Sequence, residues 1–403
     1  MPKHGPQNPT EQAATPSRAW LILAVLLLFS IAAPLNQFKV PPIMPLLMEA
    51  LGLSVGRSGL LMSVFAVTGL ILALPSGFIF QKVGHRATGL LAGGSIVIGA
   101  ALGALSQGTG VLLISRVIEG IGTSFMAVLA PAIIAQWFSR HHRGTAMGIW
   151  SAWVPVGTAA MLILAPWIAQ ASDWRSVWWL GAGYALTVTL LYLAFVRPAR
   201  SADDELSAAR AAPTINAVQV LRNRDIWLLA AAFGAFNAAV IGFGTYMPTF
   251  LTGERGLSLS QASLLSSVPT LITIFSAPAG GLVSDSVGSR KKPFLLGLGV
   301  ALVLFPLVSV LSVTGLIVLV IVQGLFFGLI PTNIFAAAVE AAGHEKQGGM
   351  AMAMIMVGQN GGMLLGPVIF GALAEGAGWS AAFISLSGLA ALGFVAGWLA
   401  KVR

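Results

Sequence analysis

The sequence predicts an all-α membrane protein of twelve transmembrane helices, arranged as two parallel-repeat six-helix bundles. Three observations predict it. Of 403 residues, 57% are hydrophobic and only 9% are charged, whereas soluble domains carry about 25% charged residues. Uncharged runs long enough to cross a bilayer recur along nearly the whole chain. Landmark residues in the first half reappear in the second at one fixed spacing.

No charged side chain falls from Thr88 to Ser106, and none from Ile226 to Gly253. A helix rising about 1.5 Å per residue crosses a hydrocarbon core of about 30 Å in roughly 20 residues, and both runs reach that scale. Helices are required because lipid offers no partner to a free backbone amide. The 47 Gly and 21 Pro fit this reading, since both are commoner in membrane helices than in soluble ones. Lys3 and Arg18 precede the first apolar run, as in a signal peptide. That run continues to Phe38 with no small-residue cleavage site, so a retained first span is expected. Without cysteine there is no disulfide or thiolate metal site.

The expected spans are Trp20–Leu47, Ser58–Phe80, Thr88–Ser106, Leu112–Phe138, Thr145–Gln170 and Ser176–Val196. Six more follow at Ile226–Leu251, Gln261–Ser284, Pro293–Leu311, Gly315–Val339, Gly349–Leu373 and Ala381–Ala400. Pro293 to Val339 is uncharged throughout and too long for one crossing, so it must hold two spans. The break falls between Leu311 and Gly315, where Ser312, Thr314 and Gly315 cluster. Residues 1–19 form a tail, 20–196 and 226–400 the two bundles, 197–225 a polar linker, and 401–403 the end. With the N-terminus cytoplasmic, 17 of the 22 basic residues lie on the inner side, three in outer loops, and two, Lys39 and Arg116, within spans. That asymmetry places both termini inside. The net charge of +9 is thereby explained by topology, without nucleic acid.

The internal repeat keeps one constant offset, that between Leu61 and Leu265. Leu61-Met62-Ser63-Val64 corresponds to Leu265-Ser266-Ser267-Val268. Gly77, Gly84 and Arg86 correspond to Gly281, Gly288 and Arg290, Gly144 to Gly348, and Gly157 to Gly361. Parallel repeats of this kind support rocking of two bundles about a central site.

Gly77 through Gln81-Lys82-Val83-Gly84-His85-Arg86, and Gly281 through Asp285 and Gly288 to Arg290, resemble the loop signature of the major facilitator superfamily. Arg116-Val117-Ile118-Glu119-Gly120 resembles that family's fourth-span motif, and Asp173-Trp174-Arg175 its segment before the sixth span. The resemblance covers residues 20 to 400. It implies the major facilitator fold and secondary active transport of a small solute by alternating access. It also implies that Asp285 helps to latch the inward face, whereas Gln81 stands where the family has an aspartate and cannot form an ion pair. Asn36-Gln37-Phe38-Lys39-Val40-Pro41-Pro42 and Trp153-Val154-Pro155-Val156-Gly157 look most like the cyanate-transporter branch. Together with nitrate and organic-anion relatives, that branch implies an anionic solute.

Charges within a membrane are costly and are paired or functional. Lys39 either snorkels to the outer interface or attracts an anion at the outer end of a central cavity. Arg116 and Glu119, at i and i+3, share a helix face. They form either a local neutralising pair or a proton switch, in which protonated Glu119 frees Arg116 for the anion. Asn237, Tyr246, Gln323 and Asn333 are candidates for orienting a solute or for tying helices together. The fifth and eleventh spans are rich in glycine and proline, which suits a moving interface between halves or static packing. No phosphate-binding loop ending in Gly-Lys-Ser/Thr is present, and the five histidines all lie in loops or tails. No enzyme, no cofactor and no metal are therefore expected. The expected partners are a small-molecule substrate, a coupling proton and the bilayer, with a monomer in a bacterial inner membrane. Proton-coupled efflux of a drug-like or metabolite solute is one alternative. A non-transporting sensor or assembly protein on a transporter scaffold is the other.

Overall fold

The computed structural model describes residues 17–73, 75–196, 220–343 and 347–402, without the side chains of Ser17, Gln81, Arg140 and His141. Most of the expected linker, the N-terminal tail up to position 16 and the Gln81 side chain thus lie outside the described residues. Within them the chain is helical almost throughout and contains no strand. Ten helical runs are long and apolar enough to cross a membrane. The last, Gly348–Leu399, has 52 residues. That is about 78 Å of helix, more than twice the hydrocarbon core. Gly378 interrupts it with φ 84° and ψ 167°, a backbone region essentially closed to other residues. Dividing there, and adding the 17-residue span Lys291–Leu307, gives twelve crossings among the described residues. Both ends of the described chain therefore share one face, here termed the terminal face; the opposite one is the distal face.

The repeat is visible in backbone geometry. Gly84 and Gly288, which the repeat equates, have φ of 78° and 63° and end the second and eighth spans. Gly52 and Gly256, at the same offset, have φ of 61° and 65° and end the first and seventh. Shortly after these glycines, the Ser54 and Ser258 side chains accept from the amides of Arg57 and Gln261, so the next helix of each half begins on the same type of cap. Ser312 caps Val313–Phe327 by accepting from Gly315, at the expected break between the ninth and tenth spans.

Burial follows the halves. One core cluster draws its buried members only from residues 220–400, and two others only from residues 19–196. Much of the outer surface is apolar, with Phe275, Leu282, Val310 and Trp167 well exposed, as lipid contact requires. In the C-terminal half, the seventh span, Arg224–Arg255, meets the eleventh through small residues. A Cβ on Gly358, Gly362 or Gly366 would lie 2.0–2.1 Å from the carbonyl oxygens of Ala230, Gly234 and Ala238. The backbones touch as in other small-xxx-small membrane interfaces. These eleventh-span glycines serve static packing within one half. Gly157 of the fifth span likewise packs on Pro34 and Ile31 of its own half. Close approach between halves occurs instead at Gly59 against Pro367 and at Gly69 against Asn360.

Candidate functional site

The first span is not one continuous helix. Ser17–Gln37 ends at a turn, and a 3-10 turn Pro41–Ile43 leads into Met44–Leu51. Pro41 has no amide with which to close the helical bond to the Gln37 carbonyl. Lys39 sits in this break. About 10 and 15 Å into the fourth span by helical rise, Arg116 and Glu119 project from Thr109–Trp137.

The break and the fourth span meet in one buried cluster. Lys39 Nζ donates to Glu119 Oε1 at 2.6 Å and to Asn36 Oδ1 at 3.0 Å. Arg116 Nη1 donates to Glu119 Oε2 and, at 2.7 Å, to the Asn36 carbonyl. Its Nη2 reaches the Gln37 carbonyl at 2.7 Å and its Nε the Leu61 carbonyl at 3.1 Å. The guanidinium thus satisfies a carbonyl that Pro41 leaves open. Lys39 Nζ also lies 4.6 Å from the centre of the Trp178 ring, and Arg116 Cζ 4.7 Å from that of Phe65, both within cation–π range. Lys39, Arg116 and Glu119 are all 0% exposed. Lys39 therefore does not snorkel, and Arg116 and Glu119 are not an isolated local pair.

Asn36 holds this arrangement to the sixth span. Its Nδ2 donates to the Ala32 carbonyl at 2.9 Å and the Gly181 carbonyl at 3.3 Å. A Cβ on Gly181 would come within 2.2 Å of Asn36 Oδ1, so the sixth span must be bare there. The repeat does not duplicate the cluster. Its offset pairs Lys39 with Phe243, Arg116 with Val320 and Glu119 with Gln323. None of these three counterparts in the C-terminal half is charged.

The remaining candidates lie apart. Asn237 is buried, with Nδ2 bonded to the Phe233 carbonyl of its own helix. Gln323 and Asn333 are both buried, and Asn333 packs on the eighth span, Leu259–Val287. Asn333 Nδ2 reaches the Gly280 carbonyl, while Gln323 Oε1 and Asn333 Oδ1 have no hydrogen-bond partner. Tyr246 lies at the distal closure, donating to the Val55 carbonyl at 2.7 Å and accepting from Ser58 Oγ at 3.4 Å. Other bonds between halves at this face run from Gly56 N to Glu375 Oε2 at 2.6 Å and from Ser263 Oγ to the Pro42 carbonyl at 3.2 Å.

At the terminal face, Gly84 and Gly288 turn the chain, whereas Gly77 has no neighbour within 4 Å of a Cβ and Gly281 only an ordinary contact. Arg86 is exposed. Arg290 joins Asp285 at 2.5 Å and Glu340 at 3.0 Å, tying the loop after the eighth span to the end of the tenth. The Glu340 hydrogen bond, and then that of Asp285, hold the Arg290 guanidinium above its ordinary pKa. The Asp285 ion pair, like that of Glu340, lies within the C-terminal half.

Comparison with known proteins agrees with this architecture. The family model described as Major Facilitator Superfamily matches residues 21–348 and 242–403. A hexuronate transporter of Bacillus subtilis (strain 168) is 26% identical over 364 residues, covering 86% of each chain. A cyanate transport protein of Escherichia coli (strain K12) is 27% identical over 291 residues, covering 70% of this chain and 72% of that one. The fold matches the crystal structure of a bacterial homologue of the human lysosomal transporter Spinster, with a TM-score of 0.78 at 16% identity. That match covers 96% of this chain and 97% of the other. Twelve spans in two repeated halves, both matched by one family model, show that this membrane transport protein belongs to the major facilitator superfamily.

Proposed function

We propose that the chain moves a small anionic solute by alternating access, coupled to a proton, with Lys39, Arg116 and Glu119 as the working group. The observation that carries this reading is a single carboxylate shared by two cations at zero exposure. A buried charge costs several kcal/mol unless paired, so protonation of Glu119 leaves Lys39 and Arg116 in need of another anion. Hexuronate and cyanate, the solutes named for two relatives, are both anions. Gln323 Oε1 and Asn333 Oδ1 are acceptors suited to a solute hydroxyl. The basic-residue asymmetry supports a distal face that looks outward and cytoplasmic termini, and the bacterial relatives support a bacterial inner membrane. The closed distal contacts then make an outer gate.

A second reading takes the cluster as a structural knot, with solute bound elsewhere. It draws support from the four hydrogen bonds that Arg116 already donates, three of them to backbone carbonyls. Counterflow in proteoliposomes separates the two. Glu119→Gln should retain anion exchange while losing acceleration by an acid gradient, and Lys39→Ala should weaken anion affinity more than Lys39→Arg. Undiminished pH-driven uptake in Glu119→Gln, with unchanged affinity in both Lys39 variants, leaves only the structural knot.

A further inference from the structure

We infer that the cluster carries one proton with one monovalent anion, so that a transport cycle moves no net charge. This rests on the reading of Lys39, Arg116 and Glu119 given above and follows from counting the ionised groups of a fully buried site. Empty, the cluster holds two cations and one carboxylate, a net charge of +1, and none of the three side chains is exposed.

The elements around it add no charge. The first span presents Asn36 to Lys39, and the second presents the Leu61 carbonyl and the Phe65 ring to Arg116. The third packs Gly99 against Glu119, and the sixth places Trp178 beside Lys39 and Gly181 beside Asn36. Among the described residues, the cluster's salt bridges involve no fourth ionised group.

Proton uptake turns Glu119 into a neutral acid, releases both cations from it and raises the net charge to +2. One monoanion bound between Lys39 and Arg116 returns the charge to +1. Release reverses both steps, with the anion leaving its two cations and the proton leaving the carboxyl as the carboxylate closes on them again. The empty and loaded forms therefore present the same charge to the same carbonyls and rings. A dianion would bring the loaded site to zero, and a neutral solute would leave it at +2. The neutral solute leaves one more unpaired buried charge, a penalty that grows as the local dielectric falls, and a dianion taken with one proton would carry one net negative charge across in each cycle.

The test uses the unmodified protein in liposomes, with the pH gradient and the membrane potential imposed separately by buffer and by valinomycin with potassium. Radiolabelled cyanate and glucuronate serve as monoanions and malonate as a dianion. One unit of inward acid gradient should accumulate a transported monoanion about tenfold. A potential of about 100 mV without a pH gradient should leave its distribution unchanged, whereas a carrier moving one charge per cycle would shift it by about 50-fold. Such a shift, alongside a pH response, overturns the one-to-one stoichiometry while leaving proton-coupled anion transport standing. Preferential accumulation of malonate also overturns it. No pH-driven flux of any probe overturns both readings.

Discussion

Replacing Glu119 with glutamine removes the one negative charge that two buried cations share. The Lys39 contact at 2.6 Å corresponds to about 6 kcal/mol of Coulomb attraction at an effective dielectric of about 20, much of it offset by desolvation. Measured losses on removing one member of a buried ion pair are about 3–5 kcal/mol. The upper end is expected here, because Arg116 loses the same partner. At about 2–4 °C per kcal/mol for a unit of this size, Glu119→Gln should lower the melting temperature in detergent by about 10–20 °C. Tryptophan fluorescence can follow the transition, since Trp178 lies beside Lys39. The double variant Lys39→Met with Glu119→Gln returns the cluster to its parental charge of +1 and leaves Arg116 its three backbone carbonyls. It should melt well above the single variant, a coupling that a double-mutant cycle quantifies. A single variant within about 2 °C of the parent, as expected for an exposed pair, would refute the argument. So would a double variant no more stable than the single one.

Gly362→Ala puts a methyl 2.0 Å from the Gly234 carbonyl oxygen, backbone against backbone, and should cost about 1–3 kcal/mol in thermal unfolding. Its neighbour Gly361 faces open space, so Gly361→Ala should be neutral or slightly stabilising through helix propensity. Tyr246→Phe deletes the distal bond to Val55, a net loss of about 0.5–1.5 kcal/mol, and should shift the gate two- to tenfold toward opening. Spin labels on paired cysteines across that face can read the shift, because the chain has no cysteine of its own. Hydrogen bonds from Ser54 and then Gly56, with Arg57 nearby, hold the Glu375 carboxyl below its ordinary pKa while the gate is closed. The sign follows from that depression: the contact is fully present above the ordinary carboxylate range and weakens as pH falls through it. The same labels should therefore report more distal opening in acid. Glu375→Gln should show little further change between neutral and acid pH.

Hydropathy, charge asymmetry and the constant offset between halves were enough to establish twelve spans, because lipid imposes length and composition on each segment locally. The turning glycines Gly84 and Gly288 were legible for the same reason. A further local signal lies in Gly52-x-Ser54 and Gly256-x-Ser258, which share that offset, and both glycines have positive φ. Arg116 and Glu119 could be paired from their spacing along one helix. That Lys39, 80 residues from Glu119, shares the carboxylate could not, because it depends on how two helices are rotated and set in depth against each other. Asn36 is the hub of that meeting, yet an asparagine in an apolar run carries no mark of its partners. Tyr246 was a candidate solute ligand by its span, and only the approach of the halves puts its hydroxyl on Val55. Tertiary structure alone decided which charges meet, because pairing across helices is a property of contacts, whereas membrane insertion is a property of each segment.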